Sequence, residues 1–383
     1  MTSRRARPGS RSPRPAAANA AAANGGVPSG LRVRHHTFFG APPRDETAAA
    51  RSDVAFLGAP FDLGTTLRPG ARFGPDAIRA ASAWWQYARD EARETAAGSK
   101  GALPAVPSAD LWPAPQAQGP PAASRPPEGW YDLDSERWIL RGVSMADWGD
   151  VRIAPTELTA NLDRITAGVR AILDAGSLPV MVGGDHAVTY PAIRAFAGRG
   201  PLHIVQFDSH QDFNDERHGV RFGHGNVMRR ASELPFVTGI SQIGLRSLQK
   251  YTDTLDAAHR YGLRTVGASA LRRGGPRAAA ASVPAGARCY LTLDIDGLDI
   301  AASPGTGTPE PGGLTFPEMR DAVRAIARRC RIVGLDLVEV SPPYDWAEVT
   351  ARTAARLLLD TLSAIFDGPR GGPGSGGGRR GRN

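Results

Sequence analysis

The 383-residue sequence has only two cysteines, Cys289 and Cys330, and two lysines, Lys100 and Lys250. So few cysteines exclude a disulfide framework and a cysteine-rich zinc site, and they favour a reducing compartment such as the cytoplasm. The sequence also lacks any apolar run that approaches a membrane span, so no membrane partner is expected. A hydrophobic content of 41% is nevertheless sufficient for a globular protein with a sizeable core.

The net charge of +8 comes from the two ends of the chain. Residues 1–34 hold seven arginines and no acid, and residues 366–383 hold four arginines against Asp367. A nucleic-acid-binding protein would need basic residues on its folded part, so we expect no nucleic-acid partner. Residues 1–34 and 367–383 are predicted to be disordered tails, although the composition of residues 1–34 also fits an organelle transit peptide.

Short apolar runs alternate with amphipathic ones from about Asp53 onward. The run 54–58 precedes a helix-like stretch at 74–79, and this alternation is typical of α/β proteins. Residues 95–135 interrupt the pattern with proline, alanine and glycine, which predicts a surface insertion. The sequence therefore predicts a single domain over residues 35–366 that carries this insertion.

Polar residues follow three of the apolar runs. The run 178–182 leads to His186, the run 202–207 to Asp208, and the run 289–293 to Asp294. Parallel α/β sheets bind ligands outside the carboxyl ends of their strands, so these three segments are expected to converge. Taken singly, residues 185–186 also fit a helix cap and residues 208–212 an acidic turn. Their shared position is what predicts a site.

The spacing of these residues indicates metal binding. Asp208, His210 and Asp212 alternate along the chain, and Asp294 and Asp296 repeat the arrangement, so extended backbone places each set on one side. Four carboxylates are costly to bury together unless cations of matching charge, such as two divalent ions, lie among them. Oxygen and imidazole ligands without thiolate favour manganese over structural zinc, although nickel or cobalt fit the same ligands.

Several segments resemble the ureohydrolase family of arginases and agmatinases. Residues 183–186 (Gly-Gly-Asp-His) resemble its first metal motif and residues 293–299 its third. Residues 208–212 resemble the second motif, with Ser209 in the place where alanine is usual. The likeness extends from about residue 53 to 366, apart from the insertion. It implies a three-layer arginase-like α/β fold, with a mostly parallel central sheet and helices on both faces, and a homo-oligomer, trimeric or hexameric.

The resemblance also implies two manganese ions (Mn²⁺) per subunit. One ion would be held by His186, Asp208, Asp212 and Asp294, and the other by His210, Asp208, Asp294 and Asp296. Metal ions lower the pKa of water enough to provide hydroxide near neutral pH, which a poorly electrophilic guanidinium carbon requires. The second oxygen of Asp212 would orient that nucleophile.

Three further residues are candidates for the site. Glu339 follows the apolar run 332–338, and its carboxylate could hydrogen-bond the guanidinium nitrogens of a substrate. His224 resembles the proton-shuttling histidine of the family, and its near-neutral pKa suits donation of a proton to the departing amine. Without the resemblance, Glu339 would be interpreted as a surface acid and His224 as a loop residue. Asn214 flanks the site and is a candidate substrate-binding residue.

The sequence favours agmatine as the substrate, with urea and putrescine as products in polyamine biosynthesis. Residues 243–249 lack the acidic residues that usually follow Ile-Gly-Leu-Arg in arginases, and residues 304–314 resemble the agmatinase branch. Hydrolases of guanidinobutyrate or guanidinopropionate and arginase are alternatives, and a buried arginine among Arg221, Arg229 and Arg230 would favour a carboxylate tail. An inactive regulatory homologue is the non-enzyme alternative, but it would be expected to have lost a metal ligand.

Overall fold

The computed structural model describes residues 31–32, 36–44, 51–96, 129–248 and 252–368. The strands are β1 (Leu31–Arg32), β2 (Val54–Ala59), β3 (Trp130–Asp132), β4 (Arg137–Ile139), β5 (Met145–Val151), β6 (Leu178–Gly183), β7 (Leu202–Phe207), β8 (Val237–Leu245), β9 (Arg264–Gly267), β10 (Arg288–Asp294) and β11 (Arg331–Val338). The helices are α1 (Gly74–Ala96), α2 (Leu158–Asp174), α3 (Thr189–Arg194), α4 (Val227–Ser232), α5 (Thr252–Tyr261), α6 (Ala268–Gly274), α7 (Pro276–Ser282), α8 (Phe316–Arg329) and α9 (Val349–Phe366).

Nine of these strands form one sheet, in the order β1-β5-β2-β6-β11-β10-β7-β8-β9. Only the pairing of β1 with β5 is antiparallel within this sheet, and every other neighbouring pair is parallel. Strands β3 and β4 form a separate antiparallel hairpin. The predicted mostly parallel α/β sheet is confirmed.

Helices cover both faces of the sheet. The apolar core on one face is shared with α1, α6, α7, α8 and α9, and the core on the other face with α2 to α5. Strand β10 contributes to both, because Leu291 and Leu293 point into the first core and Tyr290 into the second. Continuous apolar strands such as β6 are expected where a parallel sheet is covered on both sides. This rigid layer carries the strand ends described below.

Two contacts involve residues that the sequence assigns to the tails. Strand β1 belongs to the predicted N-terminal tail, yet it pairs with β5. At the other end, the Asp367 carboxylate accepts a hydrogen bond from the Leu140 backbone N–H at 3.0 Å. Residues 97–128 of the predicted insertion lie outside the described residues, as do residues 1–30 and 369–383 of the tails. The described residues near the end of the predicted insertion form β3, where buried Asp132 pairs with Arg356 at 2.7 Å.

None of the helices in the described part of the chain combines the length and apolar character that crossing a bilayer requires.

Candidate active site

The candidate site lies at the carboxyl ends of four neighbouring strands, β6, β11, β10 and β7. His186 follows β6, Glu339 follows β11, Asp294 ends β10 and Asp208 follows β7. Because these strands are parallel and adjacent, side chains far apart in sequence meet at one edge. Gly184, directly after β6, lies so close to the Phe61 backbone that only glycine fits. A Cβ atom at this position would lie 1.6 Å from the Phe61 carbonyl oxygen.

His186 is surrounded by carboxylates. Its Nδ1 lies 3.1 Å from an Oδ2 atom of each of three aspartates, Asp208, Asp212 and Asp294. This nitrogen is buried and makes no hydrogen bond of acceptable geometry to any described residue. A buried polar atom without a partner is costly, and a cation shared with the three carboxylates would remove that cost. The donor set therefore fits a divalent metal ion.

A second group of potential ligands adjoins the first. Asp208, His210 and Asp296 place one ligand atom each within 4.8 Å of one another. His210 Nδ1 lies 3.0 Å from Asp296 Oδ2 and 3.5 Å from Asp208 Oδ1. The resemblance also assigns Asp294 to this ion. Its Oδ1 accepts a hydrogen bond from the Asp296 backbone N–H at 2.9 Å. Asp208 is common to both groups, as a bridging ligand should be.

The charges in the cluster are unbalanced without added cations. Burial, together with the Asp296 and Asp208 carboxylates, raises the pKa of Asp294 well above its usual range. Burial and the Asp208 charge raise the pKa of Asp212 to about 6. Burial opposes the charged form of His210, but the Asp296 carboxylate outweighs it and raises the His210 pKa to about 12. Such strong attraction for protons indicates a negative potential that divalent ions would neutralise.

Glu339 and His224 form a pair beside the ligands. Glu339 Oε1 accepts hydrogen bonds from the His186 backbone N–H at 2.8 Å and from His224 Nδ1 at 3.0 Å. Within the described chain, the hydrogen bonds of the Glu339 side chain do not involve its other oxygen, Oε2. A Cβ atom added to Gly307 would lie 3.5 Å from this Oε2. Glycine at this position therefore keeps space open beside that oxygen.

The second ring nitrogen of His224 contacts a loop threonine. His224 Nε2 accepts a hydrogen bond from the Thr66 backbone N–H at 3.3 Å and lies 2.9 Å from the Thr66 hydroxyl oxygen. Burial opposes protonation of His224, but the hydrogen bond to Glu339 and the charges of Glu339, Asp185 and Asp212 together outweigh it and raise the His224 pKa to about 9. The neighbouring carboxylates thus favour the protonated ring.

Two site residues adopt a backbone conformation that side chains rarely take. Asp212 has φ 49° and Glu339 has φ 67°, and such left-handed backbone costs about 1–3 kcal/mol per residue. The conformation of Glu339 is held by its N–H bond to the Gly184 carbonyl at 2.8 Å, and that of Asp212 by the Met228 N–H at 3.1 Å. The fold thus maintains strain at two of the residues that the sequence marked as functional.

Asn214 is not brought together with the ligands. Its buried amide donates to the Gly225 carbonyl at 3.0 Å and accepts from the Thr254 hydroxyl at 2.9 Å. The side chain therefore connects the loop that carries His224 with α5. Its predicted role in substrate binding stays a prediction.

Sequence reasoning missed three residues that contact the site. Thr292 lies 3.0 Å from His186 Nε2, and Gln206 donates to Asp208 Oδ2 at 2.5 Å. Each precedes a predicted ligand by two residues in a strand, so the two-residue period of a strand could have identified both. Thr66 lies in an exposed loop, and nothing in the sequence marks it as a partner of His224.

Comparisons with known proteins agree with this geometry. The Arginase family model matches residues 52–112 and 114–363. The chain is 33% identical over 319 residues to a guanidinobutyrase of Pseudomonas aeruginosa, which covers 82% of this chain and 86% of the relative. It is 33% identical over 330 residues to a mitochondrial agmatinase of Gallus gallus, covering 84% and 83%. The solved proclavaminate amidinohydrolase of Streptomyces clavuligerus superposes with a TM-score of 0.66 at 28% identity, covering 88% of this chain and 99% of that one.

Proposed function

Since the chain belongs to the arginase family and is an amidinohydrolase, we propose that it is a binuclear manganese hydrolase that cleaves agmatine into urea and putrescine. The observation that carries the proposal is the buried His186 Nδ1, which faces three carboxylate oxygens at 3.1 Å and has no hydrogen-bond partner among the described residues. Asp208, His210 and Asp296 would hold the second ion. Carboxylate oxygens, which outnumber the imidazole nitrogens in this donor set, suit manganese.

The reaction requires a strong nucleophile, because resonance makes the guanidinium carbon a poor electrophile. Two bound divalent ions would lower the pKa of water and so supply hydroxide near neutral pH. The chain itself binds and orients the substrate. Glu339 Oε2 is the carboxylate oxygen available to a guanidinium N–H, because Oε1 already accepts from His186 and His224.

His224 supplies the proton that the departing amine needs. Its Nδ1 has the Glu339 Oε1 atom as an acceptor at 3.0 Å, and its Nε2 lies 2.9 Å from the Thr66 hydroxyl. A histidine whose pKa is raised by a neighbouring carboxylate can hold a proton and act as a general acid. The exposed Thr66 also connects Nε2 with solvent, from which the proton can be replaced.

The charges around the loop 214–233 bear on the tail of the substrate. Of the three arginines considered above, only Arg230 is buried, and it pairs with Asp215 and with Glu233, the latter at 3.0 Å. Arg221 also pairs with Asp215, at 3.1 Å. The Nε atom of Arg230 has no hydrogen-bond partner among the described residues. This buried arginine is the feature of the structure that favours a carboxylate tail over the amine of agmatine.

A guanidino acid is the second candidate substrate. The guanidinobutyrase of Pseudomonas aeruginosa is as similar to this chain as the Gallus gallus agmatinase, at 33% identity each. At this identity the substrate tail can differ between relatives, because loops that bind the tail vary more than the strand ends.

A urea-release assay on the manganese-loaded protein tests the proposal. Agmatine, arginine, guanidinobutyrate, guanidinopropionate and free guanidine are compared in parallel, with a formamide assay on formiminoglutamate beside them. We expect the highest kcat/KM with agmatine. A higher value with guanidinobutyrate or guanidinopropionate would replace agmatine by a guanidino acid, and no urea from any compound would refute the hydrolase chemistry.

The proposal includes a cytoplasmic homo-oligomer, trimeric or hexameric, without nucleic-acid or membrane partners. Cys289 and Cys330 are buried and form no disulfide bond, which is compatible with a reducing compartment. Light scattering on the purified protein and cell fractionation test these two points. A monomer, or a protein found in a membrane or organelle fraction, would contradict them.

A further inference from the structure

Ser209 is the residue at which the second metal motif departs from the family pattern, and it lies among the predicted ligands. It follows Asp208 at the end of β7 and its side chain is fully buried. Its carbonyl accepts hydrogen bonds from the backbone N–H groups of Arg246 and Ser247, each at 3.1 Å. The ends of β7 and β8 are thereby joined, and the hydroxyl is held in a fixed place.

Both donors of Ser209 are directed at one oxygen of Asp296. The hydroxyl donates to Asp296 Oδ1 at 2.8 Å, and the Ser209 backbone N–H donates to the same oxygen at 3.0 Å. The hydroxyl oxygen also lies 2.9 Å from His210 Nδ1. Alanine in this place would retain the backbone N–H but would lose the hydroxyl, so the second donor is a property of this chain.

The other oxygen of Asp296 faces the second ligand group. Asp296 Oδ2 lies 3.0 Å from His210 Nδ1 and accepts a weaker hydrogen bond from the Thr308 hydroxyl at 3.3 Å. By contrast, Asp294 Oδ1 receives a single backbone donor, the Asp296 N–H at 2.9 Å. Ser209 therefore restricts the rotation of the Asp296 carboxylate with two donors, the Ser209 backbone N–H and the Ser209 hydroxyl.

We propose that Ser209 is a positioning residue for the ion held by Asp208, His210 and Asp296, and that its hydroxyl fixes Asp296 with Oδ2 directed at that ion. The inference rests on the binuclear centre of the proposed function. Groups that orient metal ligands typically change metal affinity by about 10- to 100-fold when they are removed. The hydroxyl is one of two donors to Oδ1, so its loss should have an effect at the lower end of that range.

The test is a manganese titration of the full-length protein by calorimetry, with electron paramagnetic resonance to distinguish one bound ion from a coupled pair. For Ser209→Ala we expect one of the two ions to lose about tenfold in affinity while the other is unchanged. The concentration of manganese that gives half-maximal urea release should rise by the same factor, with unchanged turnover at saturating metal. Ser241→Ala is the matched control, because Ser241 is a buried, hydrogen-bonded serine of β8 that contacts His203 instead.

Alanine is the residue usual at position 209, so the variant should fold. Affinities of both ions equal to the wild type, an equal loss at both ions, or tighter binding of the second ion would each overturn the inference. Metal affinity is measured without substrate, so the two proposals can fail separately. A wild-type protein that binds two ions but releases no urea would refute the proposed function and leave the role of Ser209 standing.

Discussion

Two clusters of buried aspartates in this protein solve the same electrostatic problem differently. In the first, the fully buried Arg79 donates to both oxygens of Asp147, at 2.9 and 3.0 Å, and to Asp150 at 2.6 Å. Asp147 also accepts from the Phe38 and Gly149 backbone N–H groups. This structural cluster, Arg79 with Asp147 and Asp150, contains its own cation.

In the second cluster, no arginine or lysine of the described chain pairs with the aspartate side chains. Its four aspartates, Asp208, Asp212, Asp294 and Asp296, are accompanied by two histidines only, and the Nδ1 of His186 has no hydrogen-bond partner in the described chain. Burial of acids alone therefore does not mark a functional site. What distinguishes the site is charge that the described protein leaves uncompensated, because such charge must be completed by something that binds.

Removal of Asp294, which the resemblance to the ureohydrolases assigns to both ions, should have the largest effect. We expect Asp294→Ala to lose metal and to reduce urea release by more than about 100-fold, the upper effect of groups that only orient metal ligands. The metal-free variant should be no less stable than the metal-free wild type, since Asp296 and Asp208 repel the Asp294 charge. Metal analysis, the urea assay and denaturant unfolding measure these quantities.

The exposed Asp174, replaced by alanine, is the control for this substitution. Normal turnover of Asp294→Ala, or of the wild type in manganese-depleted buffer, would refute a metal-dependent mechanism.

The structural cluster should behave in the opposite way. Arg79→Met leaves Asp147 and Asp150 buried without their cation, and breaking a buried ion pair in this manner costs about 3–5 kcal/mol. Manganese affinity should stay unchanged in the fraction that folds. Denaturant unfolding measures the loss of stability.

Arg352→Met is the matched control, because Arg352 pairs with Glu348 at 3.9 Å on the surface, where an ion pair contributes less than about 1 kcal/mol. Equal stability of the two variants would show that burial does not distinguish the two arginines.

Much of the fold and of the site could be predicted from the sequence, for a physical reason. Apolar runs that end in acids and histidines identify strands and their functional ends together, which is how His186, Asp208 and Asp294 were found before their neighbours in space were known. The structural cluster could not be recognised in this way. Arg79 lies in α1 and its partners in β5, and only the sheet order brings them together.

The contacts of the loops were also beyond sequence reasoning. Thr66 reaches His224 across 158 residues, and no local pattern encodes that bond. Asn214 is a predicted substrate-binding residue because it flanks the site in the sequence; its amide is engaged with Gly225 and Thr254, and its role stays a prediction. Nearness in sequence does not fix where a side chain in a loop points.

Glu339 should contribute to both rate and pH dependence. Glu339→Gln removes a charged acceptor for the guanidinium, and such a bond is worth about 1.5–3 kcal/mol, or roughly a 10- to 100-fold loss in kcat/KM. Both ions should remain bound. The Glu339 carboxylate is also what raises the His224 pKa against burial, so the decline of activity at high pH should move to lower pH in the variant.

The rate of urea release is measured as a function of pH, and the metal content of the variant is measured as well. Glu318→Gln is the control, because Glu318 is a capping acid of α8. A variant with wild-type kcat/KM and an unchanged pH profile would remove Glu339 from the mechanism.

The same contrast between the candidate site and the structural core is present in the pKa values of two single histidines, His186 and His203. The acids around His186 raise its pKa well above the usual value, although burial opposes this. His203, buried beside the Ser241 hydroxyl, has its pKa lowered to about 4 by burial and by the Arg264 charge.

A group that is protonated in the unfolded chain but neutral in the fold supports stability above its unfolded pKa of about 6.5. The contribution of His203 should therefore be complete at pH 7 and be lost as pH falls from about 6.5 towards 4, by up to about 3 kcal/mol. Unfolding of the metal-free wild type and of His203→Gln at several pH values isolates this contribution, since the other acids titrate in both proteins. Parallel curves for the two proteins would mean that the pKa of His203 is the same in the folded and the unfolded chain, and would contradict the lowered value.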